Sequence, residues 1–285
     1  MRNGLALFGF LLFAVPAVAV DSYPFAVNVT GSGPPVILIP GLACGGAVWD
    51  STVDWLKKDH ECHVLTLGGF AGQKPADGPF LETMTKGILD YISDKKLAKP
   101  VVIGHSLGAS LAVKVAVDGR EKIAGLVCVD GFPCIVALFS PDPSPQTLKQ
   151  MADGERAKMG AMTRDAFLKS MKQQFGGWLK GEKLDTAMKW IEASDPKVVA
   201  KSKGELFESD LRPQAQKLAC RVLVLAAYND GYKAFVKSAD DFGTALAKQY
   251  PKSATIAVHP NCKHFIMWDE PAWFRGKLSP FLSGK

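Results

Sequence analysis

Much of what this chain lacks removes functions that depend on a bound group. Its six cysteines form no Cys-x-x-Cys pair, and their spacing resembles no zinc site. The glycine-rich stretch Pro40–Gly46 is not followed by Gly-Lys-Ser/Thr, the signature of a phosphate-cradling loop. Formal net charge is +6, yet the lysines are scattered (Lys169, Lys172, Lys180, Lys183, Lys189) and never interleave with aromatics in a dense block. No nucleic-acid partner is expected from such a pattern. No motif calls for a metal or a cofactor, so none is expected. There are no internal repeats and no long low-complexity segment. Beyond the leader described next, no apolar run approaches the roughly 20 residues of a transmembrane helix, and no stable membrane anchor is expected.

What is present begins with that leader. A single positive charge in Met1–Gly4 precedes an apolar run from Leu5 to Val15, and Pro16-Ala17-Val18-Ala19 ends in a small-residue site. This is the layout of a secretory signal peptide over residues 1–19, so an exported protein, periplasmic or secreted, is expected. No cysteine follows at a lipid-attachment position. Export permits disulfides among Cys44, Cys62, Cys128, Cys134, Cys220 and Cys262, but spacing selects no pairing. The 285 residues suit one globular domain with an insertion.

Short apolar, β-branched runs alternate with longer amphipathic stretches, which predicts an α/β fold: a mostly parallel sheet flanked by helices. The predicted strands are Phe25–Thr30, Val36–Ile39, Cys62–Leu67, Val101–Gly104, Gly125–Val129, Arg221–Ala226 and Ala254–Val258. Helices are predicted over Trp49–Asp59, Phe80–Lys95 and Ala109–Asp118. From Gly131 to Leu218 no convincing strand appears, and the pattern turns helical. Thr163 is a fitting N-cap for a helix over Arg164–Phe175 that Gly176-Gly177 would end, and Ser194-Asp195-Pro196 resembles another start. The chain therefore divides into a core, 20–130 and 219–285, and a helical cap over 131–218. Such an insertion sits naturally over the strand ends, where open α/β sheets bind ligands. Its apolar residues Phe139, Met151, Met159, Met162, Trp178, Met188, Trp190 and Phe207 line either a cavity or the cap's own core.

The chemistry centres on Gly104-His105-Ser106-Leu107-Gly108, between a predicted strand and a small-residue helix. Strand, G-x-S-x-G turn and helix make a nucleophile elbow, which pushes one serine hydroxyl out of a turn too tight for side chains on either flank. A serine hydroxyl needs a base, and the base needs a carboxylate that fixes its tautomer. Of five histidines, His259 and His264 lie beyond the last predicted strand, and His264, deeper in its loop, is the preferred base. His105 adjoins Ser106, but its side chain leaves the turn in another direction. Two aspartates end strands after the elbow. Asp230 is preferred as the acid, whereas Asp130 is read as a turn-bonding residue. Two N–H donors must face the developing oxyanion: Leu107, at a helix N-terminus, and Leu42, in the Pro40–Gly46 loop.

With these residues in hand, the chain resembles the α/β-hydrolase superfamily, and most of all exported bacterial members of esterase type. The likeness rests on Ile39–Leu42, Gly46–Asp50, His63–Gln73, Gly104–Gly108 and His264–Pro271. It implies Ser106 as nucleophile, Asp230 as acid, His264 as base, Leu42 and Leu107 as oxyanion donors, and a helical cap after the sixth strand of the fold. Two departures stand out. Pro40-Gly41 replaces the His-Gly of many relatives, and Tyr228-Asn229-Asp230 replaces their Gly-x-Asp. Gly69–Gln73 is either a border of the crevice or a rigid surface turn.

These readings converge on a serine hydrolase, a carboxylesterase that acts on a small-molecule ester through an acyl-enzyme. The alternatives on the same residues are an amidase or aminopeptidase, a lactonase, a carbon–carbon hydrolase, or a binding protein that retains the scaffold without turnover. The sequence sets no oligomeric state.

Overall fold

A computed structural model describes residues 23–284; the expected leader lies outside the described residues. Seven strands form one sheet: β1 (Phe25–Thr30), β2 (Pro35–Ile39), β3 (Glu61–Leu67), β4 (Val101–His105), β5 (Gly125–Val129), β6 (Arg221–Ala227) and β7 (Thr255–His259). Their spatial order is β1-β3-β2-β4-β5-β6-β7, and every pairing is parallel except β1 with β3. Sequences such as PVILI, VVIGH and GLVCV are apolar without alternation because helices cover both faces of the inner strands. The antiparallel β1 instead exposes part of itself at the edge, including Val29.

Around the sheet run α1 (Asp50–Leu56), α2 (Phe80–Asp94) and α3 (Leu107–Gly119). Next come five helices without an intervening strand: α4 (Pro145–Gly160), α5 (Arg164–Trp178), α6 (Gly181–Ala193), α7 (Pro196–Glu208) and α8 (Arg212–Ala215). After β6 follow α9 (Asp230–Lys233) and α10 (Ala239–Ala247), and after β7 come α11 (Ile266–Asp269) and α12 (Pro271–Leu282). No described helix is long and apolar enough to cross a membrane.

Local signals place most of these elements. Thr163 accepts from the Ala166 N–H at 3.3 Å, and Asp195 accepts from the Lys197 N–H at 2.8 Å, so both expected caps form. The expected stop at Gly176-Gly177 does not: α5 continues to Trp178. Two glycines disfavour a helix by up to about 1 kcal/mol each. Packing of Trp178 on Phe175, with ring centroids 5.6 Å apart, and on residues beyond the helix offsets that cost.

The inserted helices are fastened to the core at defined points. The Glu205 carboxylate of α7 accepts from the Phe80 and Leu81 N–H groups, 2.8 Å each, and so caps α2 from outside the helix. Gly69–Gln73 serves as a second anchor. The Gly69 carbonyl accepts from the Asp195 N–H at 2.8 Å, and the Ala71 N–H donates to the Ser194 hydroxyl at 2.9 Å. Gly69 sits at φ +82°, and a Cβ there would meet Val198 at 2.6 Å. The loop is thus a seat for the α6–α7 junction, and it does not line the catalytic crevice described below. All six cysteines are free thiols, and every one except Cys220 is buried.

Candidate active site

Ser106 follows β4 and stands just ahead of α3, with φ +55° and ψ −123°. A non-glycine residue adopts this backbone only when its surroundings impose it. The imposition comes from close-packed backbone. A Cβ on Gly104 would lie 2.0 Å from the Gly108 carbonyl oxygen, and one on Gly108 would lie 2.4 Å from that of Pro40. The elbow therefore cannot be built without both glycines. The Ser106 N–H donates to the Val129 carbonyl at 2.9 Å, which ties the turn to the end of β5.

Three further loops close on it. Gly41, past the end of β2, approaches so tightly that a Cβ would meet Ser106 Cβ at 3.1 Å. That contact places the next residue, Leu42, beside the serine, and the Leu42 N–H has no acceptor among the described residues. Leu107 opens α3, where the first N–H groups lack intrahelical partners and the helix dipole favours negative charge. Both expected oxyanion donors thus stand at the elbow.

The loop after β7 carries His264. Its Nδ1–H donates to Asp130 Oδ2 at 2.6 Å, which leaves Nε2 as the basic nitrogen. The expected acid requires correction here. Asp230 opens the short α9 with its side chain 98% exposed, and it pairs with Lys233 at 3.0 Å. Asp130, fully buried, occupies the end of β5 next to the elbow strand, and its Oδ1 also accepts from the Ala227 N–H at 3.0 Å. The backbone explains the choice. Asp130 takes φ +46°, and a Cβ on the following Gly131 would lie 2.1 Å from the Ser106 carbonyl oxygen. The Asp-Gly pair therefore turns the chain against the elbow and aims the carboxylate at the imidazole. Strand-end Asp-Gly, one strand from the serine, was the signal available in the sequence. The loop after β6 still borders the crevice through Asn229, Gly231 and Tyr232, but without its carboxylate.

Two rings surround His264 in contacts that the sequence did not foresee. Trp178, at the end of α5, lies 4.3 Å from the imidazole between centroids, with planes at 37°. His105 lies 4.7 Å away, and its Nε2–H donates to the His264 carbonyl at 2.9 Å. His105 borders the same cavity but donates to backbone and makes no bond to the Ser106 hydroxyl among the described residues, and its role is to hold the backbone of the histidine loop. Burial first, and the His264 imidazole second, push its pKa well below the usual range, so it stays neutral. His259 is absent from this cluster; its nearest carboxylate is Glu270 at 3.9 Å, and its ring packs on Trp273.

Ser106, His264, Leu42 and Gly41 line one cavity of about 280 Å³. Its remaining walls are mostly apolar. Phe175, Trp178, Leu206 and Phe207 come from the inserted helices, and Phe139 from the chain that leads into them. Of the apolar residues noted in the insertion, Phe139, Trp178 and Phe207 face the cavity, whereas Met159 is buried in the core. The insertion also supplies Gln174 and Lys203, the latter paired with Glu155 at 2.7 Å. Cys44 also lines the wall, with its thiol pushed up to about 12 by burial and hence unreactive at neutral pH.

Comparison with known proteins agrees with this architecture. The sequence is 30% identical over 110 residues to a pimeloyl-[acyl-carrier protein] methyl ester esterase of Nitrosomonas europaea, 39% of this chain and 42% of that relative. The chain thus spans about two-fifths of the length of the curated relatives it matches in this way. Among solved structures it is similar to a hydrolase from Pseudomonas aeruginosa, with TM-score 0.76 and 17% identity over 93% of this chain and 96% of the other. It is likewise similar to a thermophilic esterase from Thermogutta terrifontis, with TM-score 0.73 and 22% identity over 91% and 93% of the two chains. The alpha/beta hydrolase family itself matches residues 36–276, nearly the whole described chain, and this protein belongs to that family.

Proposed function

We propose that this protein is a serine hydrolase that cleaves carboxylic esters through an acyl-enzyme on Ser106. The observation that carries the reading is the His264–Asp130 hydrogen bond beside the strained elbow, at the wall of a single cavity. The Ser106 oxygen bonds to the ester carbonyl carbon while His264 Nε2 takes the hydroxyl proton. Asp130 fixes the tautomer that leaves Nε2 basic and stabilises the imidazolium that forms. The carbonyl oxygen, now negative, accepts from the Leu42 and Leu107 N–H groups. When the carbon–oxygen bond to the alcohol breaks, the imidazolium returns its proton to the departing alkoxide. Water, deprotonated by the same imidazole, then attacks the acyl-enzyme and releases the acid.

The preference for esters over amides or lactones is supported by relatives that bear the name esterase. The helices of 131–218 act as a cap, since they supply much of the cavity wall. The leader over 1–19 directs export.

Labelling with a fluorophosphonate probe, alongside hydrolysis of p-nitrophenyl butyrate, tests the reading. The native protein should label and turn over, and Ser106→Ala should abolish both. A native protein that neither labels nor cleaves short aryl esters would overturn it in favour of a binding role. Faster turnover of a lactone or an amide would move the bond type while keeping the mechanism.

A further inference from the structure

We infer that Phe139 and Phe235 form an apolar rest at the mouth of the catalytic cavity, which selects esters with an extended hydrocarbon chain. This rests on the esterase reading and deepens it. Among the described residues three large apolar side chains are exposed: Val29 on the edge strand, Phe139 at 37% and Phe235 at 60%. Singly exposed apolar residues are ordinary on a protein surface, but contiguous ones beside a cavity mark a ligand groove. Here two of the three touch. The Phe139 and Phe235 rings lie 4.9 Å apart between centroids with planes at 71°, an edge-to-face pair. They come from separate loops, one after β5 and one after β6, so the contact is tertiary.

Phe139 also lines the cavity, so the pair is continuous with the catalytic wall. So does Tyr232, three residues before Phe235; its carbonyl accepts from the Phe235 N–H at 2.9 Å. The Tyr232 ring is stacked on Phe242 at 4.7 Å, which anchors the loop that presents Phe235. A cavity of about 280 Å³ falls just below the range usual for ligand pockets. An ester with a short chain fits inside, and a longer chain must leave by the mouth. Across the two phenyl rings its methylenes trade water for apolar contact, and each gains affinity in proportion to the area covered.

The test is the ratio of kcat/KM for p-nitrophenyl octanoate to that for p-nitrophenyl acetate, in the native protein and in Phe235→Ser. The ratio should fall roughly tenfold in the variant, the factor expected when about two methylenes lose their contact. Phe235→Leu should retain most of the native ratio, and Val29→Ser, far away on β1, should leave it unchanged. A parallel series of alkyl butyrates tells whether the alcohol or the acyl chain lies on the rest: only the series whose chain crosses the rings responds. A native rate that rises with chain length in neither series, or an equal loss on the long and short members of both series in Phe235→Ser, would overturn the inference. Failure of fluorophosphonate labelling would instead overturn the esterase reading beneath it.

Discussion

At the scale of single residues, the site depends on groups held in states they would not adopt in water. His105 is neutral because burial and the neighbouring imidazole oppose its charge, and His63, buried beside Tyr91 and Glu61, is depressed by burial in the same sense. In the unfolded chain both take up protons as pH falls through 6.5, while the folded chain resists. Stability is therefore full above about pH 6.5 and is lost as the pH falls below it. The Tm should fall between pH 7.5 and 5.5, and His63→Gln should show a shallower fall; a flat or rising Tm would contradict these states. Ser106 and His264 were legible at this scale because G-x-S-x-G and a histidine past the last strand leave few alternatives. Asp130 was not. Its selection over Asp230 depends on a backbone turn at positive φ, and the strand-end Asp-Gly pair signals a turn without telling where the carboxylate is aimed.

At the scale of elements, propensity and packing compete openly in α5. The sequence reads as a helix broken at Gly176-Gly177, yet the helix continues and delivers Trp178 to the His264 ring. A Cβ on Gly177 meets nothing within 4 Å, so Ala fits without displacing a neighbour. Gly177→Ala should raise stability by up to about 1 kcal/mol, read as an increase of a few degrees in Tm. A decrease would mean that the glycine is required for a conformation other than helix. The strands, by contrast, were legible to within a residue, since doubly covered parallel strands must be apolar throughout. The role of Gly69–Gln73 was hidden, because its partners Ala193, Ser194 and Asp195 lie over a hundred residues away.

At the scale of the whole molecule, the site exists because loops from four strands meet over one end of the sheet. β2 supplies Gly41-Leu42, β4 the elbow, β5 Asp130-Gly131 and β7 His264, with the inserted helices closing the cavity above them. The fold class and the strand-free insertion follow from hydrophobic alternation alone. Which strand contributes the carboxylate is settled only by assembly. The deciding measurement is kcat/KM on p-nitrophenyl butyrate for Asp130→Asn and Asp230→Asn, each shown to be folded by circular dichroism. Asp130→Asn should lower it by about 10³- to 10⁴-fold, since an amide favours the wrong imidazole tautomer, and Asp230→Asn should stay within about twofold of native. A severe loss in Asp230→Asn with Asp130→Asn near native would contradict the assembly described here.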